Sequence, residues 1–309
     1  MSRIHDALKQ AEQERAANLE TENPVPRPGP TVQAPRDHEH EHTRSDDARA
    51  VKALPLHANY RSNATGVEGV LGSCRITPWS PDSRALLFNR AEQRPLGAEE
   101  FRTLRTRLTQ MREKLPLQAI LVTSALPGEG KTFVAANLAQ SFAQQSGRRV
   151  LLLDGDLRLS RLHVLFGTSA LPGLSDFLRG DVEISNVLQR GAPENLYFVP
   201  GGKPPLDPIE LLGNGRLKGL LHRLAPLFDW IVLDSPPCVP LSDASLLAEF
   251  CDGVLMVVKA GKTPFDAAQK GRRQFEQRHL LGVVLNHVAP QTAYSAYYYQ
   301  SDRKEGRSK

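Results

Sequence analysis

The sequence predicts an α/β domain with a doubly wound, mostly parallel sheet, and two observations lead to this class. From Leu96 onward, short apolar runs alternate with segments of helical pattern. The runs are rich in Val, Ile and Leu without polar alternation, which is typical of strands buried on both faces of a parallel sheet. A glycine-rich stretch also follows the first run and opens a helix. The six runs are AILVTS, RRVLLLD, LYFVPG, DWIVLDS, DGVLMVV and LLGVVLN.

The first 16 residues have the pattern of a short amphipathic helix. Ile4, Ala7, Leu8 and Ala11 share a helical spacing, with charged residues elsewhere. A helix this short is marginal by itself. We therefore predict a docking helix over residues 1–16 that lies on a partner or a membrane surface, with a frayed terminal helix as the alternative.

Residues 17–80 predict a disordered linker. Tyr60 is the one aromatic residue before Trp79, and five prolines fall within residues 24–35. Such a segment buries too little apolar surface to offset the entropy lost on ordering. The run HEHEH within the linker is either a metal-binding tract or, as we favour, a solvated charged stretch.

A folded domain is predicted over residues 95–290, beginning with the basic helix GAEEFRTLRTRLTQMREKL and the first strand. The stretch ALPGEGKT follows and fits the phosphate-loop pattern, a glycine, four residues, then Gly-Lys and Ser or Thr, except that Ala125 stands at the first glycine. Backbone N–H groups of such a loop surround phosphate oxygens at the positive end of the next helix. The predicted nucleotide-binding residues are Pro127, Gly128, Glu129, Gly130, Lys131, Thr132 and Phe133.

Acidic residues end two later strands. Asp154 and Asp156 follow one strand in LLLDGDLR, and Asp234 ends another in IVLDSPP. Carboxylates beside a triphosphate hold Mg²⁺, orient water or accept a proton from an attacking hydroxyl. Together with the phosphate loop they predict binding of ATP with Mg²⁺.

Composition excludes several classes of protein. The chain has 309 residues, and its three cysteines lack the paired spacing of a disulfide scaffold or a thiolate zinc site. The longest apolar run, Val254 to Val258, is too short to cross a bilayer, so we expect a cytoplasmic protein. The net charge of +5 favours an anionic ligand or surface.

These motifs resemble the three nucleotide boxes of the bacterial tyrosine autokinases of polysaccharide synthesis and export, the BY-kinase group, in its free-standing cytoplasmic form. The boxes here are SALPGEGKT, LLLDGDLR and IVLDSPP, and EEFRTLR, GLSDFL and ELL fit as well. Related partition and cell-division ATPases carry a signature lysine early in the loop, where this chain has Pro127-Gly128-Glu129. Ser160 departs from the family, which usually has proline there, and Arg107 replaces the usual asparagine.

The resemblance implies a P-loop NTPase fold of the partition-ATPase-like group and ATP-dependent phosphorylation of tyrosine in a neighbouring subunit. Carried over by motif, Lys131 and Thr132 bind phosphate and Mg²⁺, and Asp156 and Asp234 hold or polarise the metal site. Asp154 is implied as the base for the incoming phenol. Subunit contacts in a ring are implied for Glu99, Arg102 and Arg105.

The family also implies partners and a location. A membrane activator of the chain-length-determinant type, a polysaccharide co-polymerase, is expected as a separate chain, and a cognate tyrosine phosphatase is a further candidate. We expect the protein at the inner face of the cell membrane through that activator, with no nucleic-acid partner. Affinity for DNA through the basic helix is a third, minor alternative that requires salt-sensitive binding.

The C-terminal tail, residues 291–309, supports the same chemistry independently. Four of the six tyrosines in the chain cluster in its last 16 residues, without aliphatic neighbours beyond alanine: Tyr294, Tyr297, Tyr298 and Tyr299. Such tyrosines are hard to explain as core residues, so we predict that they are phosphoacceptors. The alternatives are an aromatic docking patch for the tail and, for the whole chain, an ATP-hydrolysing switch without kinase activity.

Overall fold

The computed structural model describes residues 69–88, 97–276 and 280–288. The predicted docking helix, residues 17–68 of the predicted linker and the four tail tyrosines lie outside the described residues. Within the described ranges, no helix has both the length and the apolar character needed to span a bilayer.

The described residues form an eight-stranded sheet. Its strands are β1 (Arg75–Ile76), β2 (Ala119–Ser124), β3 (Val150–Asp154), β4 (Gln189–Arg190), β5 (Leu196–Val199), β6 (Trp230–Asp234), β7 (Gly253–Lys259) and β8 (Leu280–Asn286). Their order across the sheet is β1-β4-β5-β3-β6-β2-β7-β8. Every neighbouring pair is parallel except β4 with β5. The predicted mostly parallel sheet is confirmed, and each of the six apolar runs contains one of its strands.

Helices flank this sheet and connect its strands. They are α1 (Ala98–Arg112), α2 (Lys131–Ala143), α3 (Leu162–Phe166), α4 (Leu174–Arg179), α5 (Ile184–Val187), α6 (Pro208–Gly213), α7 (Arg216–Leu224), α8 (Asp243–Ala248) and α9 (Phe265–Arg273). Local chemistry sets some of their boundaries. The Asp207 side chain accepts hydrogen bonds from the backbone N–H groups of Ile209 and Glu210, so it caps α6.

The core lies on both faces of the sheet. In β2, Ile120 and Val122 pack with α1 and α2 on one face, whereas Leu121 packs with α4, α7 and α8 on the other. Successive side chains of a strand point to opposite faces, and in β2 both faces are buried. The absence of polar alternation in the runs is explained by this arrangement, and the doubly wound class is confirmed.

The structure corrects one predicted boundary. We predicted disorder through residue 80, but residues 69–80 pack against the domain. β1 pairs with β4, and the indole of Trp79 contacts Phe166 and Phe198 with ring centroids 5.0 and 6.3 Å apart. Gly191 makes room for this indole, because a Cβ atom there would lie 2.3 Å from the ring. The composition averaged over residues 17–80 gave no indication that Trp79, near the end of this segment, packs against the folded domain.

The contact of Trp79 predicts a stability effect. Trp79→Ala should lower the free energy of unfolding by about 2–3 kcal/mol, somewhat below the cost for a fully buried aromatic residue, because the indole is half-buried. Urea denaturation of the full chain measures this change. Ile76→Ala is the matched control, since Ile76 is in the same segment but 74% exposed. Equal effects of the two substitutions would contradict the docking of this segment.

Candidate nucleotide site

The sheet order brings the predicted site residues to one edge. β3, β6 and β2 are adjacent, and their carboxyl ends meet because they run parallel. Asp154 at the end of β3 is in register with Asp234 at the end of β6. The phosphate loop follows β2 at Ser124. Residues far apart in the chain therefore form a single site where parallel sheets usually carry function.

The phosphate loop turns through glycines and ends at the start of α2. Gly128 and Gly130 have φ of 78° and 93°, which favour glycine over other residues. At Gly130 a Cβ atom would also lie 2.1 Å from the Asn286 side-chain nitrogen. Among the residues that the structure describes, no side chain caps the N-terminus of α2, so its first N–H groups remain available for an anion.

Two predicted nucleotide-binding side chains serve the protein interior instead. The ring of Phe133 packs edge-to-face against Phe101, with centroids 5.9 Å apart. The carboxylate of Glu129 is buried and accepts hydrogen bonds from the Leu126 backbone N–H and the Thr263 hydroxyl. For Phe133 and Glu129, the backbone amides are the groups left to face a phosphate.

Lys131 is the cation of the site. Its Nζ lies 2.9 Å from Oδ2 of Asp156 and 3.2 Å from Oγ1 of Thr132. Burial lowers the pKa of Lys131, but the charges of Asp234 and Asp156 outweigh that effect, so the pKa lies above its ordinary value. The ammonium is therefore charged and positioned beside the loop.

Asp154 lies at the base of the site and organises the loop after β3. One oxygen accepts hydrogen bonds from the Ser160 hydroxyl (2.7 Å) and the Leu162 backbone N–H (3.2 Å), and the other accepts from the Asp156 backbone N–H (3.2 Å). Burial raises its pKa to about 6 despite these donors. The role of Asp154 as the base for a phenol stays a prediction. In this arrangement the Ser160 hydroxyl would have to move before a substrate proton could reach Oδ2 of Asp154, to which that hydroxyl donates.

Asp234 has the chemistry of a metal site. It is fully buried, and neither carboxylate oxygen has a hydrogen-bond partner of normal geometry among the described residues. Burial raises its pKa to about 7, although the Lys131 charge and the Thr132 hydroxyl lower it in part. Buried oxygens without partners are costly unless a cation or water satisfies them, so this residue fits Mg²⁺, bound directly or through water.

The protein ligands alone do not enclose a metal ion. No group of three or more His, Cys, Asp or Glu side chains with suitable geometry forms among the described residues. Mg²⁺ characteristically keeps several waters and takes few protein ligands when it binds with a nucleotide. Thr132, Asp156 and Asp234 are the residues that would hold it, together with phosphate oxygens and water.

Sequence reasoning missed three residues that support the site, namely Asp243, Asn286 and Thr263. Arg158 forms two hydrogen bonds to Asp243 (2.8 and 3.1 Å), which fixes the loop after β3 to α8. Asn286 donates from Nδ2 to the Glu129 carbonyl (2.9 Å), and Thr263 bonds the Glu129 side chain. A polar residue at the end of β8 was a usable signal for Asn286. Asp243 and Thr263, the partners of Arg158 and Glu129, had no local signal.

The predicted subunit-contact residues divide into two kinds. Glu99 and Arg102 form an ion pair of 2.8 Å on the outer side of α1. Arg105 instead donates to the Ser141 carbonyl on α2 (2.6 Å), so its guanidinium joins two helices of the same chain. Glu99 and Arg102 are thus the better placed of the three for contact with another subunit.

Comparisons with known proteins place this site in a family. The model of the CobQ/CobB/MinD/ParA nucleotide binding domain matches residues 120–305. Tyrosine-protein kinase YwqD of Bacillus subtilis (strain 168) is 34% identical over 63% of this chain and 83% of its own length. Tyrosine-protein kinase CpsD of Streptococcus agalactiae is 34% identical over 67% of this chain and 91% of its own length.

Solved structures agree with these relatives. The kinase domain of Escherichia coli tyrosine kinase ETK has a TM-score of 0.61 and 28% identity, and the match covers 71% of this chain and 90% of that domain.

Other curated relatives are longer than this chain. The matches to the putative tyrosine-protein kinases EpsB and AmsA cover 29% and 28% of the length of those proteins.

The burial of Asp234, which raises its pKa, predicts a pH-dependent stability effect. With a pKa of about 7 in the folded protein and about 3.9 unfolded, the folded state binds an extra proton between these values. The wild-type protein therefore loses stability as pH rises from about 4 to about 7. Asp234→Asn removes this loss, so at pH 8, without Mg²⁺ or nucleotide, it should raise the free energy of unfolding by about 1–2 kcal/mol.

Urea denaturation at pH 5 and pH 8 measures this effect, and the gain should be smaller at pH 5. Asp243→Asn is the matched control, because Asp243 is equally buried but paired with Arg158. That substitution should lower the free energy of unfolding at both pH values. A loss of stability at pH 8 for Asp234→Asn would contradict the assignment of Asp234 as an uncompensated buried carboxyl.

Proposed function

The chain belongs to the bacterial tyrosine-protein kinases built on the CobQ/CobB/MinD/ParA nucleotide-binding domain, and from that premise we propose that it phosphorylates the tyrosines of its own C-terminal tail. As a member of this family it is a protein-tyrosine kinase. The observation that carries the proposal is the convergence of Lys131, Asp156 and Asp234 beside a phosphate loop that opens α2. These groups suit phosphoryl transfer, which depends on positioning and charge stabilisation.

Each group has a role that follows from its position. The N–H groups of the loop and of the first turn of α2 bind phosphate oxygens, and the Lys131 ammonium binds the β- and γ-phosphates. Thr132, Asp156 and Asp234 would hold Mg²⁺, which would neutralise negative charge on the phosphates. Asp154, Asp156 and Asp234 are buried. Electrostatic interactions between these side chains and a bound charge are stronger in such a water-poor site.

The tail supplies the phosphate acceptor in this proposal. A tyrosine hydroxyl with a pKa near 10 is neutral and a weak nucleophile at pH 7, so a carboxylate of the site accepts its proton. The tail follows β8, and Asn286 at the end of β8 contacts the phosphate loop. The last described strand therefore ends beside the nucleotide site, and we propose that the tail reaches the site of a neighbouring subunit.

Phosphorylation also provides a physical means of regulation. Each phosphate adds about −1.5 to −2 charge at pH 7. Several phosphates on one short tail repel one another and the acidic site, which weakens subunit contacts. We propose that this change links the kinase to polysaccharide polymerisation or export through a separate membrane activator. The residues 1–16 are the segment proposed to dock on that partner or on the membrane surface.

The phosphate-loop lysine gives the first test of this proposal. Lys131→Met removes the ammonium beside the phosphates, so phosphotyrosine formation should fall by at least about 100-fold. The full chain is incubated with Mg-ATP, with and without the cytoplasmic segment of the candidate activator, and probed for phosphotyrosine. Thermal unfolding of the variant checks that it is folded. Retained phosphorylation would show that the site is wrongly assigned.

Mass spectrometry of the same reactions locates the acceptors. Phosphate should appear on the tail tyrosines, Tyr294 to Tyr299. The Lys131→Met chain should become phosphorylated when mixed with the wild-type chain, because transfer is proposed to occur between copies. ATP turnover without phosphate on these tyrosines would reject the autokinase and support the second candidate, an ATP-hydrolysing switch.

The outer side of α1 gives a test of ring formation. Arg102→Glu reverses the charge of a side chain that contacts Glu99 and the ring of Phe88. Because surface ion pairs contribute little to stability, the variant should stay folded while its assembly weakens by about tenfold or more. Size-exclusion chromatography with light scattering measures the assembly. Lys114→Glu makes the same charge change at an exposed position beyond α1 and should leave assembly intact. Equal loss in both variants would contradict a specific role for Arg102.

A further inference from the structure

The phosphate loop contains an acidic residue that the proposed function does not explain. Glu129 lies between Gly128 and Gly130, where the loop is expected to surround phosphate oxygens. A carboxylate facing a triphosphate would repel it. The charge of Glu129 must therefore be directed elsewhere for this loop to bind a nucleotide well.

The structure shows where that charge goes. Glu129 is 3% exposed. Its Oε2 accepts a hydrogen bond from the Leu126 backbone N–H at 2.7 Å, and its Oε1 accepts one from the Thr263 hydroxyl. Both oxygens are thus used within the protein, which is what a buried carboxylate requires.

Thr263 is itself fixed by the strand beside the loop. Its Oγ1 accepts a hydrogen bond from the Lys259 backbone N–H (2.8 Å), which leaves the hydroxyl proton for Glu129. The Thr263 backbone N–H also bonds the Lys259 carbonyl at 3.0 Å. Lys259 ends β7, and β7 is paired with β2, the strand that leads into the phosphate loop. The turn after β7 therefore has a fixed position relative to the loop.

We infer that Thr263 is a positioning residue for nucleotide binding, which holds the Glu129 carboxylate inside the protein so that the loop N–H groups stay free for phosphate. This inference rests on the proposed use of ATP at this loop. Thr263 acts through Glu129 and needs no contact with the nucleotide. Asn286, at the end of β8, donates a hydrogen bond to the backbone carbonyl of Glu129. Glu129 is therefore held both by the turn after β7 and by the end of β8.

Two substitutions at Thr263 distinguish the contribution of its hydroxyl from that of its side-chain shape. Thr263→Val keeps the shape but removes the hydroxyl, which is both the donor to Glu129 and the acceptor for the Lys259 backbone N–H. The dissociation constant for Mg-ATP should therefore rise by about tenfold, as expected for the loss of a hydrogen bond to a charged group. Thr263→Ser keeps the donor and should stay within about twofold of wild type. Isothermal titration calorimetry on the full chain measures both. Equal affinity of Thr263→Val and wild type would overturn the inference.

Hydrogen exchange of the nucleotide-free chain tests the same inference without ATP. Amides of residues 125–133 should exchange faster in Thr263→Val than in wild type or Thr263→Ser, with little change in the thermal midpoint. A uniform loss of protection over the whole domain would mean that Thr263 is merely structural and would overturn the inference. If wild type does not bind Mg-ATP, the proposed function fails, and this comparison still decides the role of Thr263.

A double variant tests whether Thr263 acts through Glu129. In a chain that already carries Glu129→Ala, adding Thr263→Val should change the dissociation constant for Mg-ATP by less than about twofold, because the hydroxyl no longer has a carboxylate to hold. A further tenfold rise in that background would show that Thr263 acts by another route, which would overturn the inference.

Discussion

The site depends on one ammonium group placed among three buried carboxylates. Lys131 pairs with Asp156, and its charge also acts on Asp154 and Asp234. One positive charge does not neutralise three negative ones where water is largely absent, and burial accordingly raises the pKa values of Asp154 and Asp234. This set of residues is costly to the free protein and suited to a divalent cation bound with phosphates. The same imbalance that reduces stability thus prepares the site for its ligand.

The sheet makes this concentration of charge feasible. Asp154 and Asp234 end strands that are buried on both faces. The pairing of these strands in the sheet fixes the backbone at both positions. Gly155 then allows the next turn to pass close to β6, where a Cβ atom would lie 2.7 Å from the Asp234 carbonyl. The Gly155 N–H bonds that carbonyl at 2.8 Å. A rigid scaffold of this kind holds carboxylates that repel one another close together. The hydrophobic packing on both faces of the sheet offsets the free-energy cost of this repulsion.

The phosphate loop shows how a local motif depends on distant support. Its glycines and lysine are sufficient to identify it, yet its shape is maintained by partners 134 and 157 residues away, Thr263 and Asn286. Partition ATPases carry a signature lysine early in this loop, where the present chain has Pro127-Gly128-Glu129. Here the third of these residues fixes the loop from inside the same chain. The sequence of the loop alone does not reveal this contact, because Thr263 is 134 residues away.

The sequence by itself determined six of the eight strands, the phosphate loop and the acidic strand ends, because these are set by hydrophobic pattern and backbone chemistry over a few residues. Only the tertiary structure decided that Glu129 faces Thr263, that Arg105 joins two helices, and that Trp79 docks in a space left by Gly191. It also decided that Asp156 pairs with Lys131, whereas Asp234 has no hydrogen-bond partner of normal geometry within the described part of the chain. Such pairings follow from the order of strands across the sheet, which brings together residues that no local pattern connects.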